Sequence, residues 1–158
     1  MDTKFWKPPK KIEVLYETVL ANNRFAAINR PTAGARNEKD LPVGKNEIQL
    51  YSVSTPNGQK VGILLEELHT AIGLKYDAFM TRINGNQFNK GFVAINPNSK
   101  IPCMIDRNPI GGGGDLRLFE SGSIMIYLAD KYGKFIPKDT RGRAECINWV
   151  MWQMAGQG

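Results

Sequence analysis

One α/β domain built on a four-stranded mixed sheet, followed by the start of a helical region, is the architecture this sequence predicts. Three observations carry it: an apolar run, a turn and a helical repeat between residues 48 and 83, two short apolar strands around a glycine tetrad at 111–114, and two helical patterns after residue 121. Length agrees, because 158 residues hold one ordinary domain and an appendage but not two full domains.

Residues 1–47 are rich in Lys, Asn and Pro, with a weak apolar pattern at Ile12, Leu15, Tyr16 and Val19, and read as an arm outside the core. Ile48 to Val53 is short and apolar or aromatic, as a strand is, and Thr55-Pro56-Asn57-Gly58 interrupts it. Beyond that turn Val61, Leu64, Leu65 and Leu68 recur at helical spacing, and Gly73 stops the helix. Tyr76 to Ile83 alternates, with Tyr76, Ala78 and Met80 toward one face, and completes a βαβ unit. The Asn-rich and Gly-rich stretch from Asn84 to Asn98 predicts loop, with a short irregular helix around Phe88–Val93. Ile101 to Ile105 and Leu116 to Phe119 follow as strands, antiparallel to each other by hairpin logic across Gly111–Gly114. From Ser121 a helix turns Ile124, Tyr127 and Leu128 inward and ends near Gly133, and Pro137 and Asp139 form a linker. The last helix sets Ile147, Val150, Met151 and Met154 on one stripe, flanked by Trp149 and Trp152. The expected division is an arm at 1–47, a domain at 48–135, and a linker with a first helix at 136–158. The order β-α-β, irregular segment, β-β-α is the thioredoxin-like plan, which hosts many chemistries and leaves activity to the sites.

A net charge of +6 raises the question of nucleic acid. Lys4, Lys7, Lys10 and Lys11 crowd the N-terminus, the other cations are interspersed with carboxylates as on a solvated surface, and no recognition motif accompanies them. Nucleic acid is therefore not an expected partner. No apolar run approaches the roughly 18 residues of a membrane span, and the first residues lack the apolar core of a secretory signal. A cytoplasmic protein without a membrane partner is expected. The lone histidine, His69, and two distant cysteines, Cys103 and Cys146, offer neither metal-ligand nor CxxC spacing, so no metal is expected. His69 reads as structural, and Cys103, in a strand, as a buried core thiol.

Three polar motifs stand at element junctions. In Ser54-Thr55-Pro56-Asn57-Gly58-Gln59, Thr55 suits the N-cap and Pro56 the first helical position, and the positive helix end favours an anion just outside it. A thiol bound near donors on Thr55 and Asn57 is more readily ionised; the same residues also make an ordinary helix start. Tyr51, four residues before Thr55, reads as core, and Ser54 keeps a lesser claim to the activating hydroxyl. Asn96-Pro97-Asn98-Ser99-Lys100-Ile101-Pro102 is a polar turn entering a strand through an Ile-Pro bond. In the cis form that bond leaves neighbouring backbone groups free for an extended peptide docking as an added strand; an ordinary turn is the plainer reading. In Phe119-Glu120-Ser121-Gly122-Ser123, Ser121 and the exposed amides of a helix start can take a carboxylate while Glu120 holds an ammonium, or Ser121 simply caps the helix. A thiol, a peptide backbone and an α-amino carboxylate are together the parts of glutathione.

NPNSKIP at 96–102 and FESGSI at 119–124 resemble the cis-proline and γ-glutamyl-binding motifs of glutathione transferases, and the resemblance covers residues 48–158. INRPTAG at 28–34, LPVGK at 41–45, LYSVSTPNGQKV at 50–61 and GNQFNKGFVAINPNSKIP at 85–102 resemble, more narrowly, the nu class, relatives of the yeast nitrogen-regulatory prion protein. That resemblance implies a homodimeric enzyme reducing small-molecule disulfides, or organic hydroperoxides, with two glutathiones per site as co-substrates and no protein cysteine. It implies Thr55 and Asn57 as catalytic residues at the sulfur, with Asn29 of the arm reaching into the same pocket. Gln87 and Lys100 are implied at the glycyl end, Ile101 with Pro102 at the cysteinyl backbone, and Glu120 with Ser121 at the γ-glutamyl group. It further implies a full helical second domain, so a chain holding only its first helix is expected to be truncated. The alternative is a glutathione-binding regulatory or interaction protein without strong catalysis. A regulator of the prion-related kind is expected to carry a long Gln/Asn-rich tract, whereas this N-terminus is short and lysine-rich, which favours the enzyme.

Overall fold

Alternation along β1 (Ile48–Ser52) sets the layers: Ile48 and Leu50 face one way, Gln49 and Tyr51 the other, and all four are buried, so both sides of the sheet must be covered. The computed structural model describes residues 34–156. After β1 come α1 (Pro56–Ile72), β2 (Tyr76–Met80), a 3₁₀ turn (Asn86–Phe88), α2 (Lys90–Val93), β3 (Cys103–Asp106), β4 (Leu116–Phe119), α3 (Ser121–Tyr132) and α4 (Thr140–Gly156). The sheet order is β2-β1-β3-β4, with β1 parallel to β2, and β3 antiparallel to both β1 and β4. This is the mixed sheet and element order that the periodicities predict.

Two strand boundaries differ from the sequence reading. β2 stops at Met80 rather than Ile83: Thr81 N–H still donates to the Ser52 carbonyl at 2.8 Å, but the chain then turns through Ile83–Gly85. β3 begins at Cys103 rather than Ile101, since Pro102 brings no N–H to the ladder, and it runs on to Asp106.

Val61, Leu65 and Leu68 of α1 and Ile124 and Leu128 of α3 close over Ile48, Leu50 and Met104. At about 1.5–3 kcal/mol for each fully buried aliphatic side chain, this layer is the main bond between sheet and helices. The opposite face buries Tyr51 and Cys103 against Phe92 and Ile95, with Leu41 of the arm packed on them. Residues 36–42 are fastened along this face. Arg36 lies 3.6 Å from the centre of the Phe88 ring, Lys90 N–H donates to the Asn37 carbonyl at 2.8 Å, and the Tyr51 hydroxyl donates to the Pro42 carbonyl at 2.8 Å. Buried Gln49 is satisfied by the same stretch: its Oε1 accepts from Gly44 N–H at 2.7 Å, and its Nε2 donates to the Asn46 carbonyl and to Asp77 Oδ2. The Asn46 N–H aimed at Asp77 holds that carboxyl below its ordinary range.

No residue of α4 is fully buried. Met151, expected on its inward stripe, is 51 % exposed beside Trp149 and Trp152. Val150 and Met154, one helical turn apart, meet Gly122 at the start of α3, and Arg143 pairs with Asp130 near its end.

The far end of α3 is tied down by charge. Asp106, fully buried at the end of β3, accepts from Lys131 Nζ at 2.6 Å, Tyr127 hydroxyl at 2.6 Å and Asn108 N–H at 2.9 Å. Removing one partner of a buried pair strands the other. Lys131→Met is therefore expected to lower unfolding free energy by about 3 kcal/mol. Urea denaturation checks this, and the double change Asp106→Asn/Lys131→Met should recover part of the loss.

Candidate functional site

The strand directions bring three junctions together. Tyr51 pairs with Cys103, and Cys103 with Phe119, so the start of α1, the turn before β3 and the start of α3 share one edge of the sheet. A cavity of about 210 Å³ lies there, lined by Asn57, Asn96, Lys100, Ile101, Pro102, Glu120, Ser121 and Met154.

At the first junction Thr55 is the N-cap of α1, in extended backbone, and its Oγ1 accepts from Gly58 N–H at 3.2 Å. Gly58 is required by proximity: a Cβ there would collide with the Val53 carbonyl and Ser52 Oγ. Asn57, two residues on, points its Oδ1 at Lys60 Nζ (2.8 Å) and accepts from Ser121 Oγ at 3.5 Å, so it bridges the starts of α1 and α3. Ser54 turns elsewhere, accepting from Gln59 Nε2 at 3.0 Å on the exposed side.

At the second junction Asn96 is buried and organises the turn: its Nδ2 donates to the Lys100 carbonyl at 2.7 Å and its Oδ1 accepts from Asn98 N–H at 3.0 Å. The Ile101-Pro102 bond is cis. Lys100, exposed, adds a cation at the rim.

At the third junction Glu120, not Ser121, occupies the N-cap position of α3, and Glu120 makes no capping side-chain bond. Ser121 is the first helical residue and is 2 % exposed; its hydroxyl points to Asn57 and to Met154 Sδ (3.1 Å) instead of back to the helix. The reading of Ser121 as a simple cap is thereby corrected. The early amides of α3 keep their positive end toward the cavity, as those of α1 do, while Glu120 supplies a negative charge beside them. Two helix starts, one lysine and one carboxylate make a surface complementary to a small zwitterion with a further acid group.

Not every predicted residue arrives there. Gln87 is buried with both polar ends used in its own loop: Oε1 accepts from Gly85 N–H at 2.9 Å and Nε2 donates to the Ile83 carbonyl at 2.9 Å. It is not among the cavity residues, because the 3₁₀ turn rotates it inward. Thr55 sits beside the cavity rather than in its lining, and Asn29 lies outside the described residues. Tyr51 is core as expected, and burial pushes its phenol above the ordinary value. Burial likewise pushes the Cys103 thiol up. His69 Nδ1 donates to the Leu74 carbonyl at 2.8 Å, a bond closing the end of α1.

The family model for the glutathione S-transferase N-terminal domain matches residues 46–130. The chain belongs to the glutathione S-transferase family. Its curated relatives include the disulfide-bond oxidoreductases YghU and YfcG of Escherichia coli, 53 % identical over 137 residues and 44 % over 112. Those alignments cover 84 % and 70 % of this chain and 46 % and 50 % of the relatives, so the chain spans about half the length of the curated proteins it matches. Among solved structures it is similar to glutathione transferase YghU of Streptococcus pneumoniae complexed with glutathione, with TM-score 0.81 and 43 % identity over 97 % of this chain and 57 % of that one. A glutathione transferase family member from Pseudomonas fluorescens with two glutathione bound has TM-score 0.66 and 45 % identity, covering 72 % of this chain and 48 % of its own.

Asn96 and Met154 line the cavity of this transferase-family chain but are not among the expected site residues. Asn96 carried a usable signal, an Asn before a proline where a side chain can close the turn. Met154 carried none, since it looks like any apolar position on a helical stripe.

Glu120 holds φ at 69° and ψ at 118°, a conformation that costs a non-glycine residue about 1–3 kcal/mol. Glu120→Gly should therefore raise stability by about 1 kcal/mol after the entropy lost by glycine is deducted, measured as a higher urea midpoint. A lower midpoint would mean that Glu120 contributes a native contact larger than its strain.

Proposed function

We propose that this chain is the glutathione-binding half of a glutathione-dependent disulfide reductase. It works as a homodimer in the cytoplasm, where glutathione keeps thiols reduced, on small disulfides and by the same thiolate on organic hydroperoxides. The observation that carries the reading is the start of α3, left without a capping side chain, with the buried Ser121 hydroxyl and Glu120 side by side and Lys100 in the same cavity lining.

In this reading the Ser121 hydroxyl and the first amides of α3 take the γ-glutamyl carboxylate, and Glu120 pairs with its ammonium. Ile101, held at the cis bond, offers its backbone to the cysteinyl unit, and Lys100 takes the glycyl carboxylate. Gln87, with both polar ends spent, leaves that end to Lys100. The thiol then lies at the start of α1. Thr55 Oγ1 accepts from Gly58 and so keeps its own proton to donate to sulfur; Asn57, whose Oδ1 is occupied, keeps its amide protons. Both donors favour thiolate over thiol, and Asn29 is proposed to add a third.

The thiolate attacks one sulfur of the substrate disulfide, forms a mixed disulfide and expels a substrate thiolate. The thiolate of a second glutathione attacks the glutathionyl sulfur, expelling the second substrate thiolate and leaving glutathione disulfide. Two electrons pass from two glutathiones to the substrate, and the protein is unchanged. The Pseudomonas fluorescens relative with two glutathione bound supports the stoichiometry.

Thr55→Ala is expected to lower turnover of 2-hydroxyethyl disulfide about tenfold or more, equivalent to about 1.4 kcal/mol of transition-state stabilisation. The acid limb of its pH–rate profile should move to higher pH, because losing a donor raises the thiol pKa. Thr55→Ser, which keeps both cap and hydroxyl, separates this from the roughly 1 kcal/mol cost of a lost cap. Cys103→Ala should leave turnover within about twofold, since a buried thiol takes no part. Unchanged kinetics in Thr55→Ala would refute the assignment. Calorimetric titration with reduced and oxidised glutathione completes the test: binding without turnover would favour the regulatory alternative.

A further inference from the structure

Of the cavity residues, Asn96 is spent on its turn, and Met154 alone brings a reactive atom to which the reading above gives no task. Its sulfur is not merely near the site. Ser121 Oγ donates to Met154 Sδ at 3.1 Å, so the hydroxyl assigned to the γ-glutamyl carboxylate already has a partner within the protein. The contact is enforced from behind: a Cβ on Gly122 would stand 3.1 Å from Met154 Cγ and Sδ and 3.3 Å from Val150 Cγ1. Glycine at 122 lets α4 press this thioether onto Ser121, and Met154 lines the cavity.

A thioether is a weak acceptor that a carboxylate displaces readily, because charge-assisted bonds are about twice as strong as neutral ones. A sulfoxide is a different partner, polar and carrying a localised negative oxygen. We propose that Met154 is an oxidation site controlling glutathione binding: a hydroperoxide converts its thioether to the sulfoxide, whose oxygen holds the Ser121 hydroxyl and fills the space of the γ-glutamyl carboxylate. The proposal rests on the assignment of Ser121 to that carboxylate. In the reaction the sulfur lone pair attacks the distal oxygen of R–O–O–H. The O–O bond breaks, an S–O bond forms, sulfur gives up two electrons, and the departing alkoxide takes the proton and leaves as ROH. Methionine sulfoxide reductases reverse the change.

The other described methionines give internal controls: Met125 is half-buried against the core and does not line the cavity. Met80 and Met151 are 70 % and 51 % exposed but do not line the cavity, and Met104 is fully buried. Met154 is half-buried, with the cavity as its access route for a small peroxide.

The test treats the chain with hydrogen peroxide, removes the oxidant, maps each methionine by peptide mass spectrometry and titrates with reduced glutathione in a calorimeter. Oxidation of Met154 should weaken binding about tenfold or more, the size expected when a hydrogen bond to a charged group is lost. Methionine sulfoxide reductases A and B should restore the affinity. Met154→Leu, whatever its starting affinity, should not weaken on treatment. Full affinity with Met154 oxidised would overturn the proposal, as would an unoxidised Met154 beside oxidised Met80 and Met151, or an equal loss in Met154→Leu. Ser121→Ala, titrated without oxidation, isolates the underlying assignment: undiminished binding there would overturn the role of Ser121 and the proposal with it.

Discussion

Because β3 runs against both of its neighbours, β1 and β4 point the same way and end at the same edge of the sheet. The row Tyr51, Cys103, Phe119 marks that edge. Beyond it β1 delivers the chain to Thr55 and α1, β4 delivers it to Glu120 and α3, and β3 enters from Pro102. Three motifs far apart in sequence thereby share one cavity. A slip of one residue in either pairing would turn Met104 away from the helices and Cys103 toward them, so burial on both faces fixes the register and, with it, the site. The Asp106–Lys131 pair holds the opposite end of α3, so the helix start is positioned from its far end as well.

The two helix starts at this edge are built differently, and the difference has chemical consequences. α1 is closed by its own sequence, with Thr55 as cap and proline in the first turn. α3 begins on a glutamate in a left-handed backbone, with no side chain turned back to its amides. One start is satisfied and stable; the other carries strain and an unsatisfied positive end. Strain held where a helix points into a cavity is the pattern expected of a binding site, since folding alone would have been served by glycine or by a capping serine.

Most of this fold was legible in the sequence because both kinds of periodicity are strong. Val61, Leu65 and Leu68 repeat at helical spacing, Gly73 takes the left-handed position that ends α1, and Thr55-Pro56 opens the helix as its residue types require. Boundaries were less legible where hydrogen bonding outlasts regular geometry, as at Thr81, or where proline shortens a ladder, as before Cys103. Within the site, Asn57, Lys100, Ile101, Pro102, Glu120 and Ser121 line one cavity because each stands at a junction between a strand and its neighbouring element, a position the topology fixes. Gln87 does not, because the 3₁₀ turn that carries it has no sequence periodicity to show which way the side chain faces. Met154 was invisible for the opposite reason: its stripe was seen, but only the packing on Gly122 selects it over Met151.

The placement of the cysteines bears on where sulfur chemistry can occur. Cys103 follows Pro102 directly and lies in the row that borders the cavity, about as close to it as a strand residue can be. Yet it faces the cluster of Tyr51, Phe92 and Ile95, is fully buried, and has its thiol pushed up by that burial, so the nucleophilic thiolate is suppressed. Cys146 lies on α4 and does not line the cavity. The donors that do stand at the start of α1, the Thr55 hydroxyl and the Asn57 amide, can stabilise a thiolate but cannot supply one. In the proposed function, then, the ligand brings the sulfur to these donors. It is the co-substrate there, and the protein is the environment that ionises it.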